Sequence, residues 1–380
     1  LIHKAKSLLE KYPILTITGP RQSGKTTLIK TIAKDLPYIN LEQPDIRTFA
    51  QNDPKGFINN YVKGGIFDEI QYIPELFSYL QVVSDEHPES KFIISGSQNF
   101  LLMQSISQSL AGRTAILNLL PFSFEEIKDF NHKSVWELIF TGFYPRIYDK
   151  NIAPADFYPY YIQTYLERDI RQVINIMDLN SFTTFLKLCA GRIGQLINFN
   201  DLANDSGISP NTVKKWLSAL ETSYVIYRLQ PHHKNFNKRL TKQSKLYFYD
   251  TGLACNLLQI SSAEQLETHY LKGGLFENFV ITELIKSSTN QGKQHALYFW
   301  RNHKGKEVDC IKDHGDQVTA IEIKSGATFS RNYFDNLKYY SSLGKDFVKQ
   351  KFVVYTGDQS LSTTDGDLIN WRKINNLIDF

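Results

Sequence analysis

The chain has 380 residues, of which 42% are hydrophobic and 22% are charged, and its net charge is +4. This is the composition of a globular protein with two or three domains, and it disfavours disordered and fibrous classes. Three cysteines far apart in the sequence disfavour a disulfide framework and a structural zinc site. The first residues lack the apolar run of a secretory signal, and no stretch is apolar enough to cross a bilayer, so we expect a cytoplasmic protein without membrane contact.

The first 125 residues alternate short apolar runs with longer amphipathic stretches. The runs are four or five residues long, as are strands that helices cover on both faces of a sheet. They lie at residues 14–18, 38–41, 65–68, 92–95 and 115–119. The pattern predicts an α/β fold with a parallel sheet and crossover helices.

A phosphate-binding pattern, G-x-x-x-x-G-K-[ST], follows the first run directly. Its glycines let the backbone N–H groups point at phosphate oxygens, and a helix that starts near Lys25 adds its positive end. Lys25 is expected to reach the β- and γ-phosphates, and Thr26 to place its hydroxyl on Mg²⁺. We expect these residues to bind ATP: Gly19, Pro20, Arg21, Gln22, Ser23, Gly24, Lys25, Thr26 and Thr27.

Two acids end the third run and complete the predicted site. Asp68 is expected to hold Mg²⁺ through water, and Glu69 to orient and deprotonate the attacking water. The next run ends in small polar residues that would lie beside the γ-phosphate. We predict Ser97 as the γ-phosphate sensor, with Ser95 as the alternative.

Together these motifs resemble a widespread archaeal and bacterial family of AAA+ ATPases with a C-terminal domain of unknown function. The matching segments are residues 19–27, 67–71, 95–97, 109–113, 120–126 and 164–170. The resemblance implies that Arg113, just before the fifth strand, is an arginine finger that acts on the nucleotide of a neighbouring subunit. A finger in trans requires an oligomer, and the superfamily implies a closed ring of about six subunits.

A helix-turn-helix pattern spans residues 201–217, after a helical and aromatic stretch. Gly207 supplies the left-handed turn, Ser209 caps the second helix and Pro210 occupies its first position. Four polar residues remain outward, as a helix that reads a DNA groove requires: Asn211, Thr212, Lys214 and Lys215.

The segment that follows, residues 222–249, contains six cations and no acid. Such a basic wing suits phosphate contacts, and its aromatic residues suit unstacked bases. Five of its cations join the predicted DNA contacts: Lys234, Lys238, Arg239, Lys242 and Lys245. The alternative is a winged helix that mediates subunit packing, with a solvated wing.

Short strands are predicted near the C-terminus at residues 296–300, 307–311, 318–324 and 352–355, after a helix that starts near residue 271. The two-residue period of a strand puts Glu322 and Lys324 on one face. With Asp309 and Glu277 upstream, this order resembles the PD-(D/E)xK nuclease superfamily, although Val308 stands where its proline is expected. The resemblance implies Mg²⁺ on Asp309 and Glu322, and Lys324 beside the water. Such folds also persist as docking modules without activity.

The sequence therefore predicts four regions. They are an AAA+ ATPase core (1–125), a helical lid (126–180), a winged helix (181–265) and an α/β nuclease-like domain (266–380). The predicted function is a Mg²⁺-dependent ATP hydrolase that forms a ring and acts on branched, forked or single-stranded DNA. The alternatives are an ATP-dependent endonuclease and a signalling or protein-remodelling ATPase that does not bind DNA.

Overall fold

The structure is a computed structural model that describes residues 1–96, 106, 108–129, 134–166, 178–232, 242–344 and 346–377. These residues form two units. The first comprises residues 1–121, 222–224 and 289–293, and the second comprises the rest.

The first unit is built on a five-stranded parallel sheet in the order β2-β3-β4-β1-β5. Two apolar clusters lie against it, one around Phe67, Phe77 and Phe92 and the other around Ile17 and Ile29. The strands are β1 (Ile14–Thr18), β2 (Tyr38–Asn40), β3 (Gly64–Asp68), β4 (Lys91–Gly96) and β5 (Thr114–Asn118). The helices are α1 (Ile2–Lys11), α2 (Lys25–Ile32), α3 (Pro44–Asn52), α4 (Pro54–Asn59) and α5 (Leu76–Glu86). The predicted α/β fold with a parallel sheet is confirmed.

Helices follow the parallel sheet. The first seven are α6 (Phe124–Ile127), α7 (Val135–Thr141), α8 (Pro145–Asp149), α9 (Pro154–Tyr161), α10 (Leu179–Ala190), α11 (Phe199–Ser206) and α12 (Pro210–Thr222). Further helices are α13 (Thr251–Leu257), α14 (Ala263–Thr268), α15 (Lys272–Asn290) and α16 (Asp335–Ser341). Aromatic side chains such as Tyr144, Tyr158 and Tyr161 fill the core between α8 and α9.

The turn between α11 and α12 follows from local capping. Gly207 ends α11 in the left-handed conformation (φ 69°), which glycine adopts without strain. Ser209 Oγ accepts a hydrogen bond from the backbone N–H of Thr212, and Pro210 begins α12. An antiparallel pair of strands follows, β6 (Ile226–Leu229) and β7 (Lys245–Phe248).

A further sheet of six strands lies at the C-terminal end of the chain, in the order β12-β13-β11-β10-β9-β8. Its strands are β8 (Leu297–Arg301), β9 (Glu307–Asp313), β10 (Val318–Lys324), β11 (Val348–Tyr355), β12 (Leu361–Thr363) and β13 (Gly366–Asn370). One core cluster of this sheet includes Trp300, Tyr340 and Val353. Strands β8 to β11 correspond to the four predicted runs, whereas the sequence did not predict β12 and β13.

Candidate functional site

The loop between β1 and α2 has the backbone of an anion-binding nest. Gln22 (φ 63°) and Gly24 (φ 93°) both adopt positive φ, the alternation that turns successive N–H groups toward one point. Gly19 also has a positive φ of 150°, and a Cβ there would lie 2.1 Å from the carbonyl oxygen of Leu119. The loop therefore depends on glycine at position 19 for both conformation and space.

The ammonium of Lys25 lies inside this loop. Its Nζ donates hydrogen bonds to the carbonyl oxygens of Gly19 (3.0 Å) and Pro20 (2.9 Å). Burial lowers the pKa of Lys25, while the charges of Glu69 and Asp68 oppose that shift. Because a phosphate oxygen is a stronger acceptor for an ammonium than a carbonyl oxygen, Lys25 is suited to exchange these contacts for a phosphate.

Asp68, the last residue of β3, accepts hydrogen bonds from three hydroxyl groups. Thr26 Oγ1 donates to Asp68 Oδ2 at 2.9 Å, and the Tyr38 hydroxyl donates to the same oxygen at 2.6 Å. Ser95 Oγ donates to Asp68 Oδ1. Burial, and then the hydrogen bond to Asp68, raise the pKa of Tyr38. Residues from α2, β2, β3 and β4 thus meet at Asp68, at the carboxyl end of β3, and ligands of open α/β sheets bind at the carboxyl ends of the strands.

Glu69 follows Asp68 in a left-handed backbone conformation (φ 58°). Its Oε2 accepts a hydrogen bond of 2.5 Å from Nε2 of Gln71. In the described residues, Oε1 of the buried Gln71 has no hydrogen-bond partner. A left-handed backbone at a non-glycine residue is strained, and such strain is concentrated at functional sites.

These residues fit a nucleoside triphosphate with Mg²⁺. The loop offers N–H donors and the Lys25 ammonium for phosphate oxygens, and the contact of Thr26 with Asp68 brings together two oxygen ligands of the kind that Mg²⁺ prefers. Within the described part of the chain, the buried Oγ of Ser23 has no hydrogen-bond partner, so it remains available to a ligand.

Two further residues were predicted for this site. Ser97 lies outside the described residues, whereas its alternative, Ser95, contacts Asp68. Arg113 lies just before β5, and its carbonyl oxygen accepts from the N–H of Ile14 at the start of β1. Arg113 is therefore at the amino-terminal ends of the strands, whereas the phosphate loop is at their carboxyl ends. Its guanidinium pairs with Asp85 through two hydrogen bonds of 2.7 and 2.8 Å.

The predicted DNA contacts that the structure describes lie in different environments. On α12, Asn211, Lys214 and Lys215 are exposed, and Thr212 is half-buried at the cap. Lys214 and Lys242 line a cavity of about 520 Å³ together with Arg228, and none of the described residues that line it is acidic. Three predicted contacts lie outside the described residues: Lys234, Lys238 and Arg239.

Lys245 is a correction to the predicted DNA contacts, because it is buried with 2% exposure. Its Nζ lies 2.8 Å from Glu277 Oε1 and 2.5 Å from Glu307 Oε1. Burial by itself lowers the pKa of Lys245. The carboxylates of Glu277, Asp309 and Glu307 outweigh this effect, so the pKa is raised. An ammonium enclosed in this way is not accessible to a nucleic-acid phosphate.

Of the predicted nuclease-like acids, Glu277 contacts Lys245 and Asp309 lies near it, whereas Glu322 pairs with Lys324. Glu322 Oε1 accepts from Lys324 Nζ at 2.6 Å and from Asn336 at 3.1 Å, and Asp309 Oδ2 accepts from the N–H of Ile323 at 2.8 Å. Burial raises the pKa of Glu277 to about 7 and that of Glu322 to about 8. No three His, Cys, Asp or Glu side chains of the described residues are grouped so as to hold a metal ion. Asp309 and Glu322 are thus engaged by a backbone N–H and by Lys324, and they belong to no such group of three.

Three family models match successive parts of the chain. The model of an AAA domain matches residues 11–128, which contain the phosphate loop, Asp68 and Glu69. Residues 11–128 form a P-loop ATPase domain. Two domains of unknown function follow, DUF8612 over residues 132–264 and DUF4143 over residues 272–374.

Relatives that match most of this chain occur in bacteria. An uncharacterized protein of Mycobacterium tuberculosis is 29% identical over 329 residues, which are 86% of this chain and 73% of that protein. An uncharacterized protein of Haemophilus influenzae is 21% identical over 393 residues and covers 90% of this chain and 93% of its own length. Among solved structures, a Walker-type ATPase of Pyrococcus abyssi aligns with a TM-score of 0.44 and 15% identity over 68% of this chain and 94% of that one.

Sequence reasoning missed Tyr38 as a residue of the ATPase domain's site. A tyrosine at the start of a short apolar run carries no motif, and only the pairing of β2 with β3 brings it to Asp68. Gln71 had a weak signal, since it lies two residues after Glu69. In the residues that the structure describes, no helix has the length and apolar character that crossing a membrane requires.

Proposed function

We propose that the ATPase domain hydrolyses ATP with Mg²⁺ at the site formed by Lys25, Thr26, Asp68 and Glu69. The contact of Thr26 with Asp68 at 2.9 Å carries this proposal, because it joins the phosphate loop to the acidic end of β3. Bound Mg²⁺ would supply positive charge to the β- and γ-phosphates. Lys25 binds the phosphate oxygens, and Glu69 holds the attacking water and accepts its proton.

Substitution of Glu69 by Gln tests the proposed base. We expect ATP to bind with unchanged affinity while hydrolysis falls about 10²- to 10⁴-fold, the range that a positioned base contributes. Glu75→Gln is the matched control, because Glu75 is exposed in the segment that follows. Hydrolysis at the control's rate in the Glu69→Gln chain would exclude Glu69 as the base.

We further propose that the chain assembles into a closed ring of about six subunits, in which Arg113 acts on the neighbour's nucleotide. The position of Arg113 supports this. It lies at the amino-terminal end of β5, whereas the phosphate loop of the same chain lies at the carboxyl end of β1. The pairing with Asp85 is exposed, so its contribution to stability is small and a better anion can displace it.

The second part of the proposal is that nucleic acid is the partner of this ATPase. The observation that favours it is the cavity at the start of α11 and α12, which is lined by Lys214, by Lys242 and by Arg228, the last paired with Glu221. Lys214 Nζ also lies 5.7 Å from the ring centroid of Phe199, so a cation and an aromatic face occur together. Cations with an aromatic ring are the usual combination for single-stranded nucleic acid.

Charge reversal of two cavity lysines tests this partner. We expect Lys214→Glu with Lys242→Glu to weaken binding of single-stranded, forked and four-way-junction DNA and to reduce the salt slope by about 2. Lys187→Glu, which changes an exposed lysine of α10, is the control. ATP hydrolysis without DNA is expected to persist in the double variant. Absence of DNA binding by the wild-type chain at low salt would favour a signalling or protein-remodelling ATPase and would leave the hydrolysis proposal standing.

A further inference from the structure

Six charged residues of the second unit, three of them buried and three half-buried, form a group that is here called the ionic cluster. They come from β7, α15, β9 and β10 and are Lys245, Glu277, Glu307, Asp309, Glu322 and Lys324. Four are acids and two are lysines, so the acids are in excess.

Lys245 is the central cation of the cluster. Its Nζ lies 2.8 Å from Glu277 Oε1 and 2.5 Å from Glu307 Oε1, and it is 5.6 Å from the ring centroid of Phe299. Tyr247, on the same strand, donates a hydrogen bond of 2.5 Å to Glu277 Oε1. Two residues of β7 thus hold the carboxylate that the nuclease resemblance assigns as the accessory acid.

The cluster also contains an oxygen that lacks a partner among the described residues. Glu322 is 2% exposed, and its Oε2 has no hydrogen bond there. Its other oxygen accepts from Lys324 and Asn336. A buried carboxylate oxygen without a donor is costly, so the described residues leave the carboxyl of Glu322 only partly compensated.

A divalent cation and Lys245 cannot both bind the carboxylate oxygen of Glu277 that Lys245 contacts. Mg²⁺ requires six oxygens in near-octahedral geometry, whereas an ammonium supplies three N–H donors and needs only two or three acceptors. With Lys245 between Glu277 and Glu307, the described side chains make no metal-holding group. The cluster has the acids of a nuclease-like centre, but its counter-ion is a residue of the same chain.

We propose that Lys245 takes the place of a divalent cation in the ionic cluster, so that the nuclease-like centre does not bind Mg²⁺ and instead fastens β7 to the C-terminal sheet. The strand pair β6–β7 is thereby anchored by charge to α15 and β9. The C-terminal domain acts as a docking module, and removal of the Lys245 ammonium opens a divalent-cation site at Glu277, Asp309 and Glu322. This inference does not depend on ATP hydrolysis or on DNA binding.

Mn²⁺ titration of the full chain, followed by the electron paramagnetic resonance of free Mn²⁺, tests the proposal. We expect the Lys245→Met chain to bind one more Mn²⁺ ion than the wild-type chain, because methionine keeps the side chain's length and removes its charge. The double variant Lys245→Met with Asp309→Asn should not bind that extra ion. Lys187→Met is the control and should keep the wild-type number. A folded Lys245→Met chain that gains no Mn²⁺ would overturn the proposal.

A second measurement does not require the Lys245 variant to fold. Asp309→Asn in the otherwise wild-type chain should leave the number of bound Mn²⁺ ions unchanged. Loss of one ion would mean that a metal already occupies the cluster, and the proposal would be wrong. Nicking of supercoiled DNA with Mg²⁺ or Mn²⁺ by the wild-type chain, abolished by Asp309→Asn, would overturn it as well. ATP hydrolysis is measured in parallel and should be equal in the wild-type and Lys245→Met chains.

Discussion

At the scale of single residues, the organisation of the nucleotide site depends on the carboxylate of Asp68. Hydroxyls from three different elements, those of Thr26, Tyr38 and Ser95, donate to its two oxygens. A carboxylate with three donors is fixed in one orientation. Because two donors reach Oδ2, the carboxylate is already oriented before a cation or nucleotide is bound.

Replacement of Tyr38 by Phe tests this orienting role. The substitution removes one charge-assisted hydrogen bond of 2.6 Å and leaves the ring in place. We expect the Mg²⁺ concentration for half-maximal ATP hydrolysis to rise about tenfold, with little change in melting temperature. Tyr12→Phe, at an exposed tyrosine before β1, should have no effect on the Mg²⁺ dependence. An unchanged Mg²⁺ dependence in Tyr38→Phe would contradict the orienting role.

The raised pKa of Glu322 predicts how the free energy of unfolding depends on pH. Burial raises its pKa from 4.5 to about 8, so the folded chain binds its proton more tightly than the unfolded chain. Its contribution to the free energy of unfolding is therefore complete below pH 4.5 and is lost as the pH rises toward 8.

Urea unfolding of the wild-type chain between pH 5 and 8 should accordingly show decreasing stability with rising pH. Glu322→Gln should make that decrease shallower, because glutamine does not titrate. Glu42→Gln, at an exposed position, should retain the wild-type slope. Identical slopes for wild type and Glu322→Gln would show that the carboxyl is not buried as described.

At the scale of elements, the phosphate loop is held by its neighbour in the sheet. The N–H of Leu119 donates to the carbonyl oxygen of Thr18, and the carbonyl oxygen of Leu119 faces Gly19. The segment that leaves β5 therefore sets the space available to the first residue of the loop. Any side chain at position 19 must displace backbone rather than a flexible side chain.

Gly19→Ala is predicted to abolish measurable ATP binding. The added Cβ would lie 2.1 Å from Leu119 O, and a φ of 150° is strained for alanine. Gly65→Ala is a control in β3 of the same sheet, since its Cβ would make only ordinary contacts of 3.5 Å or more. Fluorescent-ATP titration of both variants measures the difference. Wild-type affinity in Gly19→Ala would mean that the loop is not held in this conformation.

The elements that the sequence predicted are those whose physical signal is local. Five short apolar runs predicted β1 to β5, and Gly207, Ser209 and Pro210 fixed the turn between α11 and α12. The phosphate pattern located Lys25 and Thr26 because the motif itself specifies the loop and the start of the helix.

What the sequence did not predict depends on distant contacts. Lys245 looked like one cation of a basic wing, because the acids that enclose it are 32 and 62 residues away along the chain. Tyr38 was missed for the same reason, since Asp68 reaches it only through the pairing of β2 with β3. Strands β12 and β13 were missed because their polar residues give no apolar run.

At the scale of the whole molecule, the proposed ring predicts that two inactive chains complement each other. Arg113→Ala is expected to reduce hydrolysis about 10³-fold or more, while ATP binding persists. Asp85→Ala is the control, because it removes the observed partner of Arg113 and leaves the guanidinium in place.

An equal mixture of Arg113→Ala and Glu69→Gln chains should recover about a quarter of the wild-type rate, since one interface in four then combines an intact Arg113 with an intact Glu69. Steady-state ATP hydrolysis of the mixture and of each chain alone measures this. No recovery in mixed assemblies would contradict a finger that acts between subunits.

The most direct test of the whole account is calorimetric titration of the full chain with Mg²⁺ and ATP. We predict one ATP per chain for the wild type, and an affinity about 10- to 100-fold weaker for Lys25→Ala, as expected when a charged hydrogen-bond donor to the phosphates is lost. Lys34→Ala, at an exposed lysine just after α2, should bind like the wild type. Failure of the wild-type chain to bind ATP, or equal binding by Lys25→Ala, would contradict the account.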